Sequence, residues 1–532
     1  MKHPKKIALV LLILFTASAC QKDFLDTDPT EDFASTVMFE TIEGANLALN
    51  GMYRYLYAFH PGYGWGYGNH EGYGHMGHLH DMDLMGEDMV VHSSGYGWFN
   101  PQHRWNTHRN ALAGVTHERW RMPYAVINKA NIILFYMEDV DAPSTQKNRI
   151  KAQAHAARAF AYYHLVMMYA PAYTDDPSAP GLPLYTRPEQ EGHPRSSVSD
   201  VYDLIADDLA EAIALFDGVN TRPHRSHINL ATAHGFAARV GLAMGDWSAA
   251  RDHADAAIAY HGADHLFTPD DYPDQFALIY EEDEEGEMEV VGYDFTAMSG
   301  FNNAAESSEW MWGSIIKEEH ATIYASFMSN MDPRFMTYAS LGQQKKITRA
   351  LYDQISETDV RKNLWVPPDK SFVGQYDGFG ADIPPLTQMK MLVQEIGSWA
   401  ADYIYMRLAE MFLIKAEAEA RGGNDVAAAQ TLHDLVSTRD HAYTLSTNTG
   451  EALIEEIMLH RRIELWGEGH RWIDLKRLQK DLVRVTGAHE GNHDPGQAGV
   501  IEVPAGNKRW NWLIPQDELD MNDAIGEENQ NP

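Results

Sequence analysis

Two stretches of the chain repeat one pattern. Residues 229–244 (NLATAHGFAARVGLAM) pass through Gly245-Asp246-Trp247 into 248–260 (SAARDHADAAIAY). Residues 402–421 (DYIYMRLAEMFLIKAEAEAR) pass through Gly422-Gly423-Asn424-Asp425 into 426–438 (VAAAQTLHDLVST). Each is an alanine-rich helix, a glycine-containing turn with an acidic residue, and a second alanine-rich helix. Small side chains at a crossing let two helices approach closely, so such pairs stack in the manner of tetratricopeptide repeats. Apolar residues spaced by three and four predict further helices over 147–170, stopped by Pro171, and over 199–217, with Ser199 as N-cap. A long stretch separates the two pairs. The expectation is a mostly α fold: a superhelix of helix pairs, interrupted by a large loop-rich insertion with few short strands.

The insertion, 263–400, is rich in Pro, Gly and Asp, with short apolar pieces such as Glu289 to Phe295. Segment 59–108 differs again, opening on His60-Pro61-Gly62-Tyr63-Gly64-Trp65-Gly66-Tyr67-Gly68. Glycine this dense does not hold a helix, so 59–108 is read as loop. The last residues, from Gly526, are polar and acidic and are read as a disordered tail.

The N-terminus carries an address. Lys2, Lys5 and Lys6 precede an apolar run from Ile7 to Phe15, and Thr16 to Ala19 are small. The run is shorter than the roughly 20 residues a bilayer requires. Cys20, the one cysteine of the chain, stands directly behind it, where a bacterial lipoprotein carries its lipidated residue. The rival reading is plain cleavage after Ala17-Ser18-Ala19. The placement of the single cysteine favours a lipoprotein signal over 1–19 and a lipidated tether over 20–30. One cysteine also excludes a disulfide framework and Cys-rich metal sites. A net charge of −34 repels phosphate backbones, so nucleic acid is excluded as a partner.

Six motifs stand in order along the chain. They are Ala157-Arg158-Ala159-Phe160 with Tyr162-Tyr163, Gly181-Leu182-Pro183-Leu184, and Tyr202 with Asp207-Asp208-Leu209. Then come residues 405–420, residues 457–477 (IMLHRRIELWGEGHRWIDLKR), and Leu513-Ile514-Pro515-Gln516-Asp517-Glu518 with Asn522. Behind a lipoprotein signal, this order resembles the SusD/RagB family of Bacteroidetes outer-membrane lipoproteins, across essentially the whole mature chain. The resemblance implies one unit over 31–532: an N-terminal part (31–262), the insertion (263–400) and C-terminal helices with a tail (401–532). It also implies a non-enzymatic, cell-surface protein without cofactor, which captures oligosaccharides, or in some members peptides. Such a protein hands its ligand to a SusC-like TonB-dependent transporter in the outer membrane.

Flat rings stack on the apolar faces of sugars while polar groups bind the hydroxyl edges, so aromatics in loops mark candidate ligand positions. Two groups qualify: Trp65, Tyr67, Tyr73, Trp98 and Trp105 with Asn100, and Tyr293 with Trp310 and Trp312. His75, His78, His80, Asp81 and Asp83 form the best candidate metal cluster, although the resemblance requires no metal there. Arg461, Arg462, Glu464, Glu468, Arg471 and Asp474 read as a salt-bridged helix. Arg461 would pair with Glu464 and Arg471 with Asp474 at i,i+3, with Trp466 and Trp472 buried. Against capture stand two rivals: a glycoside hydrolase using two of the many carboxylates, for which no motif isolates a pair, and a repeat scaffold that binds protein.

Overall fold

A computed structural model describes residues 37–59, 70–189, 191–272, 277–282, 288–294, 299–322, 324–334, 336–376, 379–394, 399–487 and 491–532. For 277–282, 288–294, 299, 373–376 and 379–381 it describes the backbone alone. Cys20, Trp65 and Tyr67 lie outside the described residues, as does the side chain of Tyr293.

Eleven longer helices carry the frame: α1 (Ile42–Tyr55), α2 (His75–Leu84), α3 (Gly114–Tyr136), α4 (Ser144–Tyr169), α5 (Val198–Phe216), α6 (Leu230–Met244), α7 (Trp247–His261), α8 (Leu408–Arg421), α9 (Asp425–Val436), α10 (Glu451–Glu464) and α11 (Arg471–Arg477). None of the described helices is long and apolar enough to cross a membrane. The strands are short: β1 (Met89–Val91), β2 (Pro180–Pro183), β3 (Arg195–Ser197), β4 (Ala277–Glu282), β5 (Met288–Asp294), β6 (Trp310–Ser314), β7 (Lys345–Ile347), β8 (Phe372–Tyr376), β9 (Phe379–Ile383), β10 (Tyr403–Arg407), β11 (Leu482–Val483) and β12 (Glu502–Val503). They pair as antiparallel two-stranded ribbons, β1 with β7, β2 with β3, β4 with β5, β6 with β10, β8 with β9 and β11 with β12. The fold is mostly α and tetratricopeptide-like.

Small residues set the helix spacing, as the alanine-rich repeats predict. A Cβ added at Gly241 of α6 would sit 2.7 Å from the Ala250 nitrogen of α7, so only glycine permits that crossing. Gly245 ends α6 in the left-handed region (φ 74°) and Asp246 caps α7 by accepting from Ala249 N. Ala250, Ala254 and Ala257 of α7 are buried, and α7 packs against α8. The insertion is therefore looped out, and the superhelix expected to be interrupted is continuous in space. Buried two-pronged ion pairs staple neighbouring helices. Arg158 of α4 holds Asp208 of α5 at 2.8 and 2.6 Å, Arg239 of α6 holds Glu410 of α8 at 2.6 Å twice, and Arg477 of α11 holds Glu417 of α8 at 2.9 and 2.7 Å.

Five expectations are corrected. Segment 59–108 contains α2, β1 and a helical turn at Asn100–His103. The ten residues of α2 are all buried, so it shows no amphipathic period; its two carboxylates find partners on other elements, Arg119 for Asp81 at 2.6 Å and Gly469 N for Asp83 at 2.8 Å. Residues 403–407, expected as helix, form β10, because Tyr403-Ile404-Tyr405-Met406 suits a strand buried against β6. The N-cap of α5 is Ser197, not Ser199, since Asp200 completes a capping box with Ser197. The tail from Gly526 is ordered: Asn531 is buried and its amide donates to Tyr169 O and Trp512 O at 2.6 and 2.7 Å. Finally, the charged run 461–474 is not one helix. Gly467 and Gly469 take positive φ and break it between α10 and α11. The expected i,i+3 partners each lie within one helix but are drawn to other residues, Glu464 to Arg361, Arg407 and Arg439 and Asp474 to Arg461 and Arg477. Arg461 instead meets Asp474 across the break at 2.7 Å, and Arg471 reaches Glu87. Trp466 and Trp472 are buried, as expected.

The freed carboxylates enter a buried network. Glu464 accepts from Arg361 at 3.1 Å, Arg407 at 3.0 Å and Arg439 at 3.2 Å, while Glu468 binds Arg407 at 2.7 Å and Lys390. Glu309 bridges Arg407 and Arg439, and Asp359 holds Arg361 at 2.6 Å. All eight groups are at most 5% exposed. Burial alone would raise the Glu464 carboxyl, but Arg439, Arg407 and Arg361 outweigh it and hold it well below the usual range.

Removing one partner of such a network strands its opposite charges. Glu464→Gln is expected to cost about 3–5 kcal/mol, read as a lower midpoint in denaturant unfolding with an unchanged slope. The core also sets an acid limit. Burial pushes His75, His78 and His80 well down and His164 to about 3, so each is neutral when folded. Unfolded, the same rings take up protons below about pH 6.5, so stability is full above that value and falls as pH drops toward the folded values. Melting at constant ionic strength should show Tm dropping between pH 7 and 5, with each ring contributing up to about 1.4 kcal/mol per pH unit.

Candidate functional site

One loop turns an aromatic side chain toward solvent, and its construction explains why. Between β1 and the turn Asn100–His103, Gly95 and Gly97 take φ 47° and 90°, and Phe99 is left-handed at φ 60°. Phe99 drops into the core against Tyr73 and His80, with ring centroids 5.6 and 4.6 Å apart. Its neighbour Trp98 stays half-buried at the surface. Buried Glu71 pins this turn by accepting from Phe99 N and from Gln102 Nε2 at 2.8 Å. Gln343 clamps it from the insertion, donating to Trp98 O and to Asn100 Oδ1.

Around Trp98 the rings assemble into a platform. His70 stacks on Trp98 at 5.1 Å and 18°, and its Nδ1 meets the Tyr338 hydroxyl. Tyr338 is buried, at 5% exposure, and backs the patch: it lies 6.2 Å from Trp98, 5.5 Å from Tyr96 and 5.2 Å from Tyr324. Tyr96 is 68% exposed, and Met336 and Leu341 beside Tyr338 in sequence are also exposed. Partial burial lowers the His70 ring below its ordinary value, so it is neutral at pH 7 and stacks without a charge to desolvate. The patch offers flat apolar faces edged by hydroxyls on a loop held from two sides.

The other sequence candidates go elsewhere. Tyr73, Trp105, Trp310 and Trp312 are at most 1% exposed and present no face to a ligand. Trp105 donates to Met85 O at 2.9 Å and packs edge-on against Trp510. Trp310 and Trp312 stand on β6, whose five residues are all buried; they donate to Gly300 O and Ser226 O at 2.7 and 3.1 Å. An aromatic on a glycine-poor, apolar run such as Trp310-Met311-Trp312 is core, and that run was the available signal. Asn100 is consumed by the loop: its amide donates to Ser94 O at 2.9 Å while its oxygen serves Gln343. It positions Trp98 rather than facing a ligand.

The metal candidates are dispersed around α2. His75 meets the rings of Phe160, His164 and Tyr405, His80 those of Phe99 and Phe327, and His78 lies 3.7 Å from Glu118. Asp81 serves Arg119 and Asp83 accepts from Gly469 N at 2.8 Å. Among the described residues no group of three or more His, Cys, Asp or Glu is arranged to hold a metal ion. Sequence reasoning missed His70, Tyr96, Tyr324 and Tyr338. Tyr96 shares the Gly-Tyr-Gly-Trp texture of the loop and was legible; Tyr324 and Tyr338 lie in the insertion, with nothing local to mark them.

Known proteins with this architecture supply the context. Residues 293–532 match a family model described as SusD family, and residues 23–242 match one described as "Starch-binding associating with outer membrane". SusD-like protein P2 of Formosa agariphila is 24% identical over 417 residues, covering 76% of this chain and 77% of its own. SusD-like protein P38 of the same organism is 22% identical over 525 residues, covering 92% and 95%. Among solved structures, a SusD-like carbohydrate binding protein from Bacteroides vulgatus superposes with TM-score 0.73 at 25% identity, over 93% of this chain and 99% of its own. Surface glycan-binding protein A from Bacteroides thetaiotaomicron, solved with laminarihexaose, superposes with TM-score 0.59 at 17% identity, over 92% and 99%. With the motif order, the helix-pair frame and two family models that match residues 23–242 and 293–532, this chain belongs to the SusD/RagB family.

Proposed function

We propose that this chain is a cell-surface binding protein that captures oligosaccharides without altering them and passes them to a SusC-like TonB-dependent transporter in the outer membrane. The observation that carries the reading is the platform of His70 and Trp98, backed by buried Tyr338 and flanked by Tyr96 and Tyr324, on a loop that Glu71 and Gln343 hold in place. Rigid aromatic area binds a sugar face with little ordering cost, which suits capture. Trp65, Tyr67 and Tyr293 remain candidates by sequence, and Asn100 enters as a positioning residue. Support for a carbohydrate ligand comes from family members that bind glycans. Residues 1–19 act as export signal, Cys20 carries lipid, 20–30 is the tether, and 31–532 is one binding unit.

The chain has abundant acids, but the described residues that meet at the platform are rings, hydroxyls and amides. Acyl chains on Cys20, at about 0.8 kcal/mol per buried CH₂, would hold the protein on a membrane face. A strongly negative chain disfavours highly anionic glycans, so the proposed ligand is neutral.

Titration calorimetry against neutral oligosaccharides, anionic oligosaccharides and peptides, with product analysis of each mixture, tests the reading. Saturable binding of a neutral glycan without breakdown is expected, and Trp98→Ala should weaken it roughly 10- to 30-fold, about 1.4–2 kcal/mol. Turnover of any ligand, or preference for peptide, would overturn it. Fractionation checks the anchor: wild type is expected with outer membranes and Cys20→Ala in the soluble fraction.

A further inference from the structure

A second aromatic depression shares no residue with the Trp98 platform. It is a cleft of about 390 Å³ between the end of α1, the middle of α3, the loop behind β2 and the short helix Gln516–Met521. That volume falls within the range of small-molecule sites, roughly 300–1,000 Å³. Tyr55, Tyr124 and Tyr185 line it, each half-buried, with Trp120 buried beneath them. Trp120 and Tyr124 have ring centroids 5.0 Å apart, and Tyr124 and Tyr185 meet edge-on at 5.9 Å.

These rings are fixed from behind. The Tyr124 hydroxyl donates to Pro183 O at 2.9 Å, and the His193 ring stacks on Tyr185 at 4.7 Å and 28°. Trp120 donates to Glu518 at 3.2 Å. The loop bearing Tyr185 is tied down twice: Asn131 donates to Tyr185 O and Arg187 O, and the Tyr162 hydroxyl both accepts from Tyr185 N at 2.6 Å and donates to its carbonyl. The wall is thus already ordered before anything enters it.

The rim is polar and balanced. Arg121 and Arg187 balance Glu189 and Glu518 in charge, and Asn128 adds an amide. An anionic ligand would meet both carboxylates and the negative field of the chain, and a cationic one would meet both guanidinium groups. A wholly apolar ligand would strip water from the charged rim without replacing its hydrogen bonds. A neutral ring with one apolar face and vicinal hydroxyls meets each demand, since it stacks on tyrosine and gives both donors and acceptors to the rim.

We propose that the cleft lined by Tyr55, Tyr124 and Tyr185 is a second carbohydrate site, which takes a neutral sugar residue of an oligosaccharide. The proposal rests on the reading of this chain as a glycan-capture protein and adds a second point of attachment to it. Two sites on one chain let a long glycan bind with greater avidity than either alone.

The full-length chain is titrated with neutral hexasaccharides of α-1,4-, β-1,4- and β-1,3-linked glucose, and hydrogen exchange is followed over 120–131 and 185–189. Two binding equivalents are expected. Trp98→Ala should remove one and keep the protection of 120–131. Asn128→Trp, which fills the cleft from an exposed position, should remove the other and abolish that protection. Arg187→Ala, at an exposed rim residue, should weaken the cleft about tenfold and serves should the larger substitution unfold the chain. A single equivalent lost in Trp98→Ala and untouched by Asn128→Trp and Arg187→Ala would overturn the cleft and leave capture at the platform standing. A single equivalent that survives Trp98→Ala and is lost in Asn128→Trp would support the cleft and remove the platform. Absence of binding in wild type would overturn both.

Discussion

Arg407 is the residue on which the architecture turns. It ends β10, the strand that leads from the insertion into α8, and it is fully buried. An isolated guanidinium there would carry a prohibitive desolvation cost, so its fork must be matched. Glu309 comes from the insertion just before β6, Glu464 from the end of α10, and Glu468 from the break before α11. Arg361 with its partner Asp359, Arg439 and Lys390 complete the charge balance. Segments far apart in the chain thus meet in one neutral cluster, with Phe301 and Phe267 covering Arg407 at 5.2 and 6.0 Å. An apolar junction would tolerate sliding between the insertion and the helix frame. A set of forked pairs tolerates only one arrangement.

The same logic explains which parts of the sequence announce the family. Arg158 and Asp208, Glu410 with Arg239, Glu417 with Arg477, and the run from Arg461 to Asp474 sit in its motifs, and all serve as buried staples between helices. Glu518 and Asn522, in the C-terminal motif, tie the last short helix to α3 and to the loop at His193. Those residues identify the frame. They do not report what is bound.

This division shows why the fold was legible and the site was not. Helix pairs declare themselves through alanine spacing, glycine turns and caps within a few residues of sequence: α6, α7 and α9 lie where that spacing puts them, while α8 starts at Leu408 rather than 402 because β10 takes the residues before it. The charged run 457–477 misled because periodicity cannot tell an exposed salt-bridged helix from a broken segment whose partners are distant; Gly467 and Gly469 were the local warning. For α2, burial on every side erased the amphipathic signal. Tryptophan content alone could not separate Trp98 from Trp105 and Trp310. What separates them is whether the neighbouring residue, here Phe99 in a left-handed turn, takes the core position instead.

The platform follows from that exchange. The loop places one large ring inside and its neighbour at the surface, turning through the positive φ of Gly97 and Phe99. Glu71, itself buried, holds that turn by accepting from Phe99 N, and Gln343 reaches across to it from the insertion. Gln343 ties the platform to the same insertion that supplies Tyr324 and Tyr338. The insertion is in turn anchored through Glu309, Arg361 and Lys390 to the helix frame. The surface rings and the buried ion network are therefore linked through the insertion, and a substitution in the network should be felt at the rings.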